Sequence, residues 1–313
     1  MNALRVAERG SSVQPAVPAL LGVLFWSTHA IAANAALDDL SWQAVLVLQF
    51  SACTITLLAV RTVQQRRFSP SAPRPVISRK STAGGAVVGI VGLGGTLTLQ
   101  YVGFAYAPLV EANVISYGWP MFAAVYSFSV IRTRTTTAGL AFAFLGFCGV
   151  LLIFSSQGGV SGDGNLLGYA AALLSAVCMT FFTFGVVRSR APQLDILLWG
   201  ASAGLAFSAL LTVTSDTRWA LSPAVFAALY VGAGSVAGGY MLWSWGMVLS
   251  EGRLAPLGYA IPLLSTLILL LTGASFTARS ASGALLVLIC SVGVLGAERL
   301  WGADAQGPVR SPT

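Results

Sequence analysis

Glu111-Ala112-Asn113-Val114-Ile115-Ser116-Tyr117-Gly118-Trp119-Pro120, continued by uncharged and mostly apolar chain to Val130, is the stretch that decides how this sequence folds. It has the character of a membrane-spanning helix with a proline placed where its middle should be. Proline lacks a backbone donor and its ring clashes with the carbonyl four residues earlier, so a kink is expected here, with the Ser116 carbonyl underused. Such a carbonyl in lipid must face protein, water or a ligand. The pattern recurs between Arg253 and Pro262, where Tyr259 and Pro262 repeat the Tyr-x-x-Pro of Tyr117 and Pro120 and Gly258 takes the place of Ser116. Two kinked helices are therefore expected to wall a polar cavity, with Gly118, Pro120 and Pro262 as hinges.

The remainder of the chain supports a membrane setting. Hydrophobic residues make up 56% and charged residues 9% of the 313, and the mean hydropathy is +0.80; soluble chains carry about 25% charge. Charges divide the sequence into ten uncharged stretches: 10 to 37, 40 to 60, 81 to 110, 112 to 131, 135 to 162, 164 to 187, 196 to 215, 219 to 250, 254 to 278 and 280 to 297. Each can supply the roughly 20 residues that cross about 30 Å of hydrocarbon. The expectation is an all-α integral membrane protein of ten transmembrane helices.

Lys and Arg collect in loops that stay in the cytoplasm. Alternating the loops from an inner N-terminus leaves only Arg218 and Arg279, of 17 basic residues, on the outside. Both termini are thus expected in the cytoplasm, in a bacterial inner (plasma) membrane or its equivalent. The net charge of +7 is mostly topology. Basic residues scattered over several loops give no nucleic-acid surface. Cys53, Cys148, Cys178 and Cys290 lie in apolar spans without metal-type spacing, so no metal or cofactor is expected. With one histidine and no carboxylate inside the spans there is little material for catalysis, and no catalytic residue is assigned.

Sliding the second half over the first by 142 residues aligns Tyr117 with Tyr259, Pro120 with Pro262 and Tyr101 with Trp243. A unit of five helices is odd, so tandem copies must lie in opposite orientations. Inverted repeats with broken helices put the substrate near the midplane and switch access by rocking. The expected units are 17–155 and 156–300, with tails at 1–16 and 301–313.

The two five-helix units, the kinked fourth helix with Asn113, Tyr117 and Pro120, and its ninth-helix match resemble the EamA-type drug/metabolite transporter superfamily. Within it, the Phe25-Trp26-Ser27 and Tyr117-Gly118-Trp119-Pro120 motifs are most similar to exporters of aromatic amino acids and of the dication paraquat. The resemblance implies a ten-helix basket around a central cavity lined by helices 1, 3, 4, 6, 8 and 9, exporting small molecules from the cytoplasm. A monomer in contact with the lipid bilayer alone is expected.

The substrate-binding set follows from these readings. Asn113, Tyr117 and Pro120 share a helix face; Gln100 and Asn113 offer amides; Tyr101, Trp243 and Tyr259 follow from the repeat; Trp26, His29 and Phe182 follow from a common level. Trp119 completes the set, although an ideal helix turns it about 200° from Tyr117. Glu111 is expected as an interfacial charge at the outer edge of its helix. Without a buried carboxylate the leading expectation is facilitative export; a proton-coupled multidrug carrier, or a sugar or nucleotide-sugar carrier of the same superfamily, is the alternative.

Overall fold

The computed structural model describes residues 14–67, 79–155, 164–271 and 277–301. The N- and C-terminal tails, most of the proline-containing basic connector and most of the glycine-rich 155–165 loop lie outside the described residues. The described residues are helical and contain no strand. The helices are α1 (Ala16–Leu37), α2 (Trp42–Arg67), α3 (Arg79–Tyr106), α4 (Leu109–Ser116), α5 (Trp119–Val130), α6 (Arg134–Ser155), α7 (Leu166–Arg188), α8 (Gln193–Thr214), α9 (Pro223–Ser250), α10 (Ala260–Leu271) and α11 (Ala278–Trp301). Eight of these, all but α4, α5 and α10, are long and apolar enough to cross a membrane. Ile55, Phe144, Leu174, Phe207, Phe226 and Val292 are exposed on their outer faces, as suits helices solvated by lipid.

The expected kink at Pro120 is a complete break. The Tyr117 N–H closes α4 on the Asn113 carbonyl at 2.8 Å, and the Gly118 N–H tightens onto Ile115 at 3.0 Å. A new helix then begins with Pro120 in its first turn, where the missing donor costs nothing. The second break differs in detail. Glu251 (φ 54°) and Gly252 (φ 81°) end α9 in left-handed conformations. A 3-10 turn, Ala255–Tyr259, leads into α10, and the Ala260 N–H turns onto the Gly258 and Leu257 carbonyls. The underused carbonyl expected at Gly258 is therefore engaged by its own turn.

Other local features recur in matching places. Both α3 and α9 contain a glycine-rich π-helical segment, Val88–Gly95 and Val231–Gly239. Both α6 and α11 start with a reciprocal box: Thr133 and Thr136 exchange backbone-to-hydroxyl bonds at 3.0 and 3.2 Å, and Thr277 and Ser280 do so at the same two distances. Each box satisfies donors at a helix start that would otherwise be orphaned. These two boxed helices pack along one another through Gly149 and Gly283.

Tight contacts cross between the halves. A Cβ on Gly89 would lie 2.0 Å from the Ile196 carbonyl, and one on Gly200 would lie 2.4 Å from the Gly89 carbonyl. The α3 and α8 backbones touch only because both residues lack side chains. Gly204 seats the Phe50 ring of α2. The small-xxx-small spacings Gly85/Gly89 and Gly200/Gly204 are used in this way. Gly234 and Gly238 are not so crowded, and Gly232, lying on the Gln49 carbonyl, makes the close approach of α9 to α2.

One ion pair is sequestered. Arg253, beyond the end of α9, makes two bonds to Glu298 of α11, at 2.8 and 2.9 Å. Burial opposes its charge, but the paired Glu298 carboxylate outweighs that and raises the guanidinium above its ordinary value. Removing one partner strands the other, so Glu298→Ala is expected to cost about 3 kcal/mol, whereas Arg253→Met with Glu298→Met recovers most of the loss. Thermal unfolding of the purified variants measures both.

Candidate functional site

The breaks matter because of what they place together. An open-mouthed cavity lies among α1, α3, α4, α5, α7, α9 and α10. Along α1 it runs from Trp26 through His29, Ala33 and Asn34 to Leu37, towards the Asp38 turn. On α3 it takes the stripe Thr96, Gln100 and Phe104, spaced one turn apart. From the broken helix come Asn113, Ser116, Tyr117 and Trp119; from α7, Ser175, Ala176 and Met179; from α9 and α10, Tyr240 and Ile261.

The floor is aromatic. Trp26 meets Tyr240 edge-on at 5.0 Å and Trp243 at 5.2 Å, and Trp119 stands at 90° to Trp243 at 5.4 Å. Phe182 supports Tyr240 at 5.1 Å. Ring quadrupoles favour such edge-to-face contacts. Two glycines make room for the rings: a Cβ on Gly239 would lie 2.7 Å from the Trp26 indole nitrogen, and one on Gly258 would lie 2.2 Å from the Trp119 ring. The Thr180 hydroxyl donates to the Trp119 carbonyl at 3.1 Å, securing the first turn of α5.

The wall above the floor is polar and uncharged. Among the described residues, no Asp, Glu, Lys or Arg lines the cavity. His29 Nε2, Thr96 Oγ1 and Ser116 Oγ are buried without a hydrogen-bond partner. Each such group forgoes about 1–3 kcal/mol in a dry protein, and the Gln100 and Asn113 amides add polar groups to the lining. The Ser175 hydroxyl is already committed, to the Thr96 carbonyl at 2.9 Å.

Six of the ten residues expected to bind substrate line this cavity: Trp26, His29, Gln100, Asn113, Tyr117 and Trp119. Trp119 does so beside Tyr117 because the break resets the helical phase between them. The other four are buried behind the lining. Tyr101 lies next to Gln100 and is rotated about 100° off the facing stripe. Trp243 is the pillar beneath Trp26 and Trp119, its indole nitrogen 3.5 Å from the Thr183 hydroxyl. Phe182 supports Tyr240 from below. Tyr259 packs on Gly146 and Phe147. In α9 it is Tyr240, three residues before Trp243, that reaches the cavity.

Glu111 is more enclosed than its place near a helix end suggests. It is buried in the first turn of α4, and its carboxylate accepts the Tyr169 hydroxyl of α7. Tyr169 in turn accepts the Gly164 N–H. Glu111 lies in the first turn of α4, at the edge of its helix as expected, but its carboxylate is buried and paired.

Residues 16–155 match the model of the EamA-like transporter family. The EamA-type resemblance read from the sequence is thereby borne out over that stretch, and the eight helices long and apolar enough to cross a membrane make the chain a multi-pass membrane protein. The aromatic amino acid exporter YddG of Ancylobacter novellus is 29% identical over 215 residues, an overlap of 67% of this chain and 73% of that one. A crystal structure of a protein shares the fold with a TM-score of 0.78 and 25% identity, covering 91% of this chain and 98% of the other.

Pillar and wall should respond differently to truncation. Trp243→Ala is expected to cost about 3–5 kcal/mol by opening a void under two indoles. His29→Ala, which removes an unpartnered cavity group, is expected to change stability by no more than about 1 kcal/mol. Thermal denaturation of the two purified variants checks the contrast.

Proposed function

We propose that this chain exports aromatic and other hydrophobic amino acids, and organic cations such as paraquat, from the cytoplasm across a bacterial inner membrane. It is a facilitative transporter and not an enzyme. The observation that carries the reading is the cavity itself, an aromatic floor beneath a polar wall that bears no charge. The similarity to an aromatic amino acid exporter supports the same substrate class.

The α4/α5 and Ala255–Leu271 segments each complete one further crossing, making ten in two inverted repeats, 17–155 and 156–300. The paired π-helical segments, the paired threonine and serine boxes and the paired helix breaks support this division. The basic residues support cytoplasmic termini. On that topology the cavity opens outward, and the aromatic floor closes it towards the cytoplasm.

A zwitterion needs no fixed counter-charge here. The end of α4 presents partial negative charge from its last carbonyls, and the start of α5 presents partial positive charge from its first N–H groups. Both meet at the cavity wall, where the Asn113 and Gln100 amides and the Ser116 hydroxyl add adaptable partners. The substrate's ring lies on Trp26, Trp119 and Tyr240, and the same faces attract an organic cation. Rocking one repeat against the other parts the floor and opens the site inward. Gly118, Pro120 and Pro262 lie where the helices are already interrupted.

A second reading, proton-coupled transport, draws on the buried Glu111 with its Tyr169 partner. Membrane-buried carboxylates often carry protons.

Proteoliposomes loaded with labelled phenylalanine, threonine or a sugar separate these readings. Phenylalanine efflux without a pH gradient, and no sugar efflux, is the expected result, with Trp119→Ala slowing phenylalanine about tenfold through lost stacking. Sugar flux without amino acid flux overturns the substrate class. An absolute need for a proton gradient, lost in Glu111→Gln, replaces the facilitative mechanism with a coupled one.

A further inference from the structure

Half-helix α5, from the first of the two proposed repeats, and α7, from the second, lie side by side and run the same way. They touch at two levels. At the first, the Thr180 hydroxyl meets the Trp119 carbonyl. Two turns further along α5, about 10 Å from Trp119, the Tyr126 ring leans on Phe184 with 4.6 Å between centroids. The Arg188 guanidinium, in the last turn of α7, covers both rings, 5.0 Å from the Tyr126 centroid and 5.8 Å from that of Phe184. Among the described residues Arg188 has no carboxylate partner, so its contact is with the ring faces, which attract a cation. Phe184 is fixed from behind. A Cβ on Gly252 would lie 2.6 Å from its ring, and the next residue, Arg253, is bound to Glu298.

The equivalent pair in the proposed inverted repeat is α10 with α1, and its far end is arranged differently. α10 packs against the Ala16–Ser27 part of α1, whereas Ala33, Asn34 and Leu37, further along α1, line the open cavity. The 142-residue shift puts Ile268 where α5 has Tyr126, and α1 ends at Leu37, followed by Asp38, where α7 ends in Arg188. The ring and the cation are thus built into one seam of the two. In an inverted repeat one seam closes as the other opens. An interaction made in only one of two states shifts the population towards that state by its own free energy.

We infer that Arg188, laid over Tyr126 and Phe184, is a latch on the α5–α7 seam that holds the cytoplasmic side shut and makes the outward-open form the favoured resting state. This rests on the proposed inverted topology and its rocking motion. The seam lies beyond the aromatic floor, so opening inward has to draw Tyr126 away from Phe184 and Arg188. Arg188 is exposed, and its guanidinium returns to water when the rings part. That makes the latch weak enough to release in each cycle, which a sequestered ion pair such as Arg253–Glu298 is not.

The reporter for the test is Thr183→Cys, introduced into the full-length protein. Thr183 is fully buried beside Trp243, one residue from Phe184, and becomes reachable only when floor and seam part. Purified protein in lipid nanodiscs, without substrate, is treated with a water-soluble maleimide, and labelling at position 183 is timed by peptide mass spectrometry. Cys53 and Cys290, fully buried elsewhere, report any general loosening. Arg188→Gln is expected to speed labelling at 183 about two- to fivefold, the worth of an exposed cation–π contact, with no change at Cys53 or Cys290. Tyr126→Leu is expected to do at least as much, and Arg188→Lys, which keeps the charge, to stay closer to wild type. Equal rates at 183 with Arg188 and with Arg188→Gln overturn the latch and leave the rocking reading intact. A rise at Cys53 and Cys290 that matches the rise at 183 also overturns it, since the fold as a whole has then loosened. If position 183 resists labelling in every variant, no inward opening takes place, and the rocking reading and the latch fail together.

Discussion

A backbone N–H or C=O inside hydrocarbon has no water to turn to, and the rest of this structure follows from that constraint. An unbroken helix meets it automatically; a broken one meets it only where something else supplies partners. Each irregularity in this chain has such a partner. The break at Ser116–Trp119 faces a cavity and is secured by Thr180. The turn before α10 closes on its own carbonyls. The helix starts at Arg134 and Ala278 carry reciprocal hydroxyl boxes.

Packing between the helices uses two opposite means. Where backbones must touch, glycine brings the α3 and α8 axes, and the α9 and α2 axes, within reach of carbonyl contact. Where a cavity must be floored, indole and phenol rings lean edge-on against one another, each seated over a glycine or over another ring. Glycine contacts lack interlocking side chains, and an aromatic stack is held by many shallow contacts. A floor and a set of backbone contacts of this kind can part and re-form without leaving charges unpaired, which is what the proposed rocking mechanism requires. The sequestered Arg253–Glu298 pair is the exception, and it ties the second broken segment to α11.

The cavity obtains its chemistry from neutral groups. Its unpaired hydroxyls and imidazole nitrogen create local polarity without the desolvation cost of an ion. Helix ends concentrated at one break add oriented partial charges. The buried Glu111 is kept out of the lining by Tyr169, so the carboxylate lies near the site without contributing a charge to its wall.

Composition alone determined that the chain is a helical membrane protein, because charge is too costly in lipid to be placed anywhere but at helix ends. The prolines located both interruptions, since a missing donor acts through the chain itself and needs no neighbour. Six cavity residues were legible for similar local reasons: Asn113 and Tyr117 share a face, as do Trp26 and His29. Others were not, because the phase of a helix past an irregularity is a tertiary outcome. The break turned Trp119 inward, and the Thr96–Gln100–Phe104 stripe beyond the first π-helical segment left Tyr101 in the packing. In α9, Tyr240 took the cavity position and Trp243 the pillar beneath it. Glu111 reads in the sequence as a charge at a helix edge, and it is Tyr169, arriving from another helix, that pairs its buried carboxylate. Local covalent and solvation rules can be read along the chain; which of two neighbouring aromatics meets a cavity depends on helices far away in sequence, and the packed structure alone decides it.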